Sequence, residues 1–79
     1  MSRINLILAD KDEWYADSFS KYIRSYYSYR FNINVFTKPA TIIDYLQNNS
    51  EKIDILLTEP DLLPDNIDKF NIGTIVILT

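Results

Sequence analysis

Short apolar runs alternating with stretches of helical periodicity are the feature that most limits what this chain can become. Residues 4–9 (INLILA) are nearly continuous in apolar character and end in Asp10-Lys11-Asp12-Glu13. A short run closed by charges suits a strand buried on both faces. From Tyr15 onward, Phe19, Tyr22, Ile23, Tyr26 and Tyr27 recur at spacings of three and four. That period predicts an amphipathic helix over residues 12–28, with Asp17, Lys21 and Arg24 on its wet side. Either Asp10 or Asp12 can cap it, because a carboxylate accepts from the free N–H groups of a first turn.

Residues 31–37 (FNINVFT) place Phe31, Ile33 and Val35 against Asn32 and Asn34, the alternation of a half-buried edge strand that only Phe36 breaks. Pro39, with its φ already set, opens a second helix carrying Ile42, Ile43, Tyr45 and Leu46. That helix ends at Asn48-Asn49-Ser50. Residues 53–58 (IDILLT) read as a third strand running into Glu59-Pro60-Asp61. Residues 60–72, rich in Pro, Asp and Asn, accommodate one or two turns of helix around 64–70. Gly73, the single glycine, precedes TIVILT, a β-branched fourth strand.

Strands alternating with helices imply parallel pairing through right-handed crossovers. The predicted class is therefore α/β, with a parallel sheet. In such sheets ligands gather outside the strand carboxyl ends. Two of those ends carry acids here, Asp10 and Glu59, so an anionic pocket is expected between them.

With 79 residues the chain is one domain, and it has neither Cys nor His. Disulfides, thiolate metal sites and the commonest acid/base side chain are thus excluded. The net charge of −3, with no basic run, argues against a nucleic-acid footprint. No apolar run approaches the about 20 residues of a membrane span, and the N-terminus is too quickly charged for a signal peptide. A cytoplasmic protein without membrane insertion is expected. Enzyme signatures are missing: there is no nucleophile elbow, phosphate-cradling glycine loop, HExxH or CxxC.

Taken together, ILADKDEWYADSF, FTKPATIIDYL, DILLTE and TIVILT resemble, in order, the first four strands and intervening helices of response-regulator receiver domains of two-component signalling. The resemblance implies a flavodoxin-like, receiver-like fold, with a sheet ordered 2-1-3-4 and the two helices on opposite faces, that stops before a fifth strand, as the N-terminal fragment of a longer protein or else a naturally shortened version. It also assigns roles. Asp10 matches one of the metal-holding acids, while Lys11 stands where the second belongs, leaving Asp12 as the nearby substitute. Glu59 falls at the phospho-accepting position, and Thr79 matches the hydroxyl at the end of the fourth strand.

These departures imply a degenerate pocket of Asp10, Lys11, Asp12, Glu59 and Thr79. Lys11 either pairs with Glu59 as a built-in cation or is simply solvated. Glu59 either mimics a phosphorylated state or is a plain polar strand tip. The chain is most similar to the pseudo-receivers that precede ParA/MinD-like ATPases of tight-adherence pilus machinery. That likeness implies a non-catalytic module for protein–protein interaction, homodimerisation or localisation, with no cofactor. The alternative is a working phosphoacceptor switch, with Mg²⁺ held by Asp10, Asp12 and Glu59 or Asp61. Two contact surfaces are candidates, residues 74–79 and the tyrosines of the first helix. Tyr22 and Tyr26 are expected to face the core, Tyr27 and Tyr29 either to be at least partly buried or to form an exposed patch with Arg30, and Trp14 either to pack near the strand tips or to gate the pocket.

Overall fold

The computed structural model describes residues 3–49 and 51–78. Its elements follow the order β1 (Ile4–Ala9), α1 (Glu13–Tyr26), β2 (Phe31–Phe36), α2 (Pro39–Asn48), β3 (Ile53–Thr58) and β4 (Ile72–Ile77). Two short 3₁₀ turns, Pro60–Leu62 and Ile67–Lys69, connect β3 to β4. All strand pairs are parallel, and the sheet order is β2-β1-β3-β4. This is the order of flavodoxin-like folds through their first four strands.

Two apolar layers sandwich the sheet, as an all-parallel sheet requires. On one side Ile7, Ala9 and Leu56 meet Ile42 and Leu46 of α2, with Ile53 and Leu62 completing the cluster. On the other, Leu6 and Ile33 meet Ile23 of α1, flanked by Phe19, Phe31 and Val35. Phe36, out of step with the alternation of β2, joins the α2 layer and packs against Tyr45 with the rings tilted and their centroids 5.0 Å apart. Its odd position is thus explained by the face it serves.

Several expectations need correction. The fourth strand starts at Ile72, so Gly73 lies inside it. A β-carbon at Gly73 would sit 2.9 Å from the backbone oxygen of Asp54, a separation that forces something to move. Glycine therefore lets β4 approach β3 closely there. Of the one or two helical turns expected around 64–70, one forms there as a 3₁₀ turn at Ile67–Lys69, and a second 3₁₀ turn, Pro60–Leu62, comes earlier than expected. Tyr22 and Tyr26 are exposed, not core-facing, and Trp14 is 78% exposed. The buried residues of α1 are Ala16, Ser20 and Ile23. Small side chains at two of these positions let the helix sit close to the sheet, and Tyr22 and Tyr26 are turned outward. Tyr27 packs partly against the inner layer, whereas Tyr29 is exposed with the Arg30 guanidinium 5.8 Å from its ring centre.

Candidate functional site

The register of β1 and β3 decides the geometry of the acidic tips. Ala9 is paired with Thr58, and the ladder continues through a bond from the Glu59 amide to the Ala9 carbonyl at 3.0 Å. Asp10 and Glu59 thereby emerge side by side and line one pocket of about 370 Å³, together with Tyr15 and Leu78. Sequence spacing could place the acids there, but not Tyr15 or Leu78.

Lys11 dominates the electrostatics of this pocket. Its backbone amide donates to Glu59 Oε1 at 2.9 Å, and its ammonium lies 4.0 Å from the same oxygen. The ammonium's closer partner is Asp61, whose Oδ2 accepts at 2.7 Å. The Asp61 hydrogen bond and charge, then the charge of Glu59, raise the lysine pKa above its ordinary value. Reciprocally, the hydrogen bond and charge of Lys11 hold the Asp61 carboxyl below the usual carboxylate range. Of the expected Lys11 pairings, then, contact with Glu59 is present, but Asp61 is the stronger anchor. Asp61 reaches Lys11 because Pro60 opens a 3₁₀ turn directly after the strand tip and curls the chain back. Its φ is preset for such a turn.

Asp12 does not join the other acids. It is the N-cap of α1, its Oδ1 accepting from the Tyr15 amide at 3.1 Å. Its own amide donates to Asp10 Oδ1 at 2.9 Å. Of the two possible caps, the structure uses Asp12 for the helix and Asp10 to brace the turn before it. Thr79 lies outside the described residues. The hydroxyl of Thr58, buried at the end of β3, donates to the Glu59 carbonyl at 2.9 Å.

These donors do not fit a magnesium ion. Mg²⁺ takes octahedral oxygen ligands from one or two carboxylates and water. Here Asp12 is turned to the helix, Asp61 is bonded to an ammonium, and that ammonium faces Glu59. No group of three or more acids among the described residues is arranged to hold a metal.

A larger cleft of about 480 Å³ lies between β2 and α2, lined by Phe36, Thr41, Asp44, Tyr45, Asn48 and Asn49. Its acid, Asp44, already accepts through Oδ1 from the side-chain Nδ2 of Asn48 at 3.1 Å. The cleft offers no converging reactive groups, so the strand tips remain the candidate site. No helix of the described residues is long and apolar enough to cross a membrane. No family model and no solved structure matches the chain.

Proposed function

We propose that the chain is a receiver-like module without catalysis, in which its own lysine occupies the electrostatic role of a divalent cation. The observation that carries this reading is the grip of Lys11 on both β3-side acids, 2.7 Å to Asp61 and 4.0 Å to Glu59. A phosphoryl switch needs a cation to neutralise charge as the phosphoryl group moves, and an acceptor carboxylate placed within about an ångström. In this pocket the acceptor position is Glu59, longer than aspartate by a methylene and bonded through Oε1 to the Lys11 amide. The pocket is a fixed arrangement, and its use is to present a constant surface to protein partners. Localising a pilus-assembly ATPase is the role that the sequence likeness favours.

The test is a two-part measurement on the intact chain. Amide chemical shifts are followed while Mg²⁺ is added to several millimolar, and the mass is then read after incubation with a small phosphodonor. The expected result is no saturable shift at Lys11 or Glu59 and no added phosphoryl mass. Saturable shifts with a gain of one phosphoryl group would overturn the proposal in favour of a working switch.

A further inference from the structure

We infer that the cleft between β2 and α2 seats the guanidinium of an arginine carried by a protein partner. The inference rests on the interaction-module reading and names the chemistry of one contact such a module makes.

The cleft is built mostly from one helix face. Thr41, Asp44, Tyr45 and Asn48 stand at positions i, i+3, i+4 and i+7 of α2, a single stripe of its surface. Phe36 joins them from the last position of β2, the edge strand on the opposite side of the sheet from β4. Both rings are partly buried against the α2 core layer and tilted by 47° to one another. Their positions are therefore set before a ligand arrives, which lowers the cost of binding.

The hydrogen bonds within the lining decide what it accepts. Asn48 Nδ2 donates to the Asp44 carbonyl at 2.8 Å and to Asp44 Oδ1 at 3.1 Å, which commits both its hydrogens. The Thr41 hydroxyl donates to the Lys38 carbonyl at 2.8 Å, and Asn49 Nδ2 donates to the Glu51 carbonyl at 2.8 Å. What remains is weighted to acceptors: Asp44 Oδ2, the Asn48 side-chain oxygen, and the Tyr45 hydroxyl, which can serve as one. Among the described residues Asp44 is in no ion pair, unlike Asp17, Glu59 and Asp61. The last turn of α2, where free carbonyls gather negative partial charge, carries no basic residue either.

A carboxylate, spare acceptors and two aromatic rings match a cation that donates hydrogen bonds. Guanidinium suits this lining better than ammonium. It is planar and stacks on a ring, its fork reaches a carboxylate at the same time, and it sheds water at an open site more readily. The cleft, at about 480 Å³, is far larger than one guanidinium. It has room for the arginine stem and the residues flanking it, which points to a partner segment as the source. Contacts of this kind at exposed sites are individually weak, so one arginine binds in the millimolar range.

Amide and ring chemical shifts of the intact chain, followed while a capped Gly-Arg-Gly tripeptide is added, test the inference. Saturable shifts are expected at Asp44, Tyr45, Asn48 and the Phe36 ring, with a dissociation constant of about 1–10 mM. Asp44→Asn should weaken binding about fivefold, whereas Asp17→Asn, the same charge change on α1, should leave it unchanged. A citrulline tripeptide, neutral and of nearly the same shape, should not saturate. A lysine tripeptide, and methylguanidinium without stem or flanks, should each bind at least about threefold more weakly. The inference is overturned by no saturable shift, by shifts centred on Asp10 and Glu59, or by equal losses in the two variants. It is also overturned if citrulline or lysine binds as tightly as arginine, or if methylguanidinium does, which would mark a small-molecule site. The outcome is separable from the Mg²⁺ measurement, which reads the strand tips. Silent tips without tripeptide binding reject only this contact, and tripeptide binding beside a Mg²⁺-responsive pocket rejects only the pocket reading.

Discussion

Leu56→Ala should be the most damaging single truncation in the α2 layer. Leu56 is fully buried on a central strand, packed among Ile7, Ala9, Ile42, Leu46 and Leu62. The change removes three carbons, and at about 0.8 kcal/mol per buried methylene the lost transfer free energy is about 2.4 kcal/mol. Collapse around the site is partial, because its walls are sheet on one side and a short helix on the other. A residual cavity of roughly 25–50 Å³, at about 24 cal/mol per Å³, adds about 1 kcal/mol. The expected loss is therefore about 3 kcal/mol, against a total stability of roughly 4–12 kcal/mol for a chain of this length. Urea and thermal unfolding by circular dichroism, at one low protein concentration, should show Tm falling by about 12–25 °C. Leu57→Ala, on the opposite face and only half-buried, should lose about half as much. Tyr26→Ala, at an exposed position, should stay within about 0.5 kcal/mol. A loss at Leu56 under about 1 kcal/mol, or equal losses at Leu56 and Tyr26, would refute the assignment of this layer as the core.

Three further outcomes are expected. Asp12→Ala removes the carboxylate that accepts from the Tyr15 amide and should cost about 1 kcal/mol in urea unfolding, with Asp12→Asn retaining most of it. Lys11→Asp changes the net charge from −3 to −5, since one positive charge is lost and one negative gained. It should give a saturable millimolar Mg²⁺ response at Glu59, as read by amide shifts, larger than any response of the natural chain. The third concerns pH. Asp61 is lowered from 3.8, so its contribution is present above that value and is lost as pH falls through the folded value. Lys11 is raised from 10.5, so its contribution is present below that value and is lost as pH rises through the folded value. The pair should stay closed from about pH 5 to 9 and open first in acid. A carboxyl carbon titration of Asp61 should show a midpoint below 3.8 that Lys11→Met restores.

How much of this was legible in the sequence depended on how local each signal was. β1, β2, β3 and α2 lie within a residue of their expected bounds, because each is bracketed by charges, proline or asparagine. Alternation and crossover handedness required only parallel pairing, and the sheet order came with the receiver resemblance. The facing of α1 was misread for a physical reason. Tyr15, Phe19, Tyr22, Ile23, Tyr26 and Tyr27 span too wide an arc to be buried together. The choice among them falls to Ala16 and Ser20, whose small size sets the distance to the sheet. Asp61 as the partner of Lys11 was not legible either. Its position comes from a three-residue turn at Pro60, and the lysine and this acid are separated by 50 residues of sequence. Asp12, one residue past a lysine at a strand tip, served a cap rather than a ligand because the free amide of Tyr15 lay within reach.

Two carboxylates at neighbouring strand tips repel, and a fold that places them together must supply a counter-charge. A metal would leave the pocket adjustable, since it can depart or be bridged by a ligand. Lys11 is tethered, and its backbone amide holds Glu59 independently of its ammonium. Neutralising the ammonium alone therefore leaves Glu59 anchored, whereas proline at position 11 would release it. The pocket wall also includes Leu78, tied to β3 by its bond to Thr58.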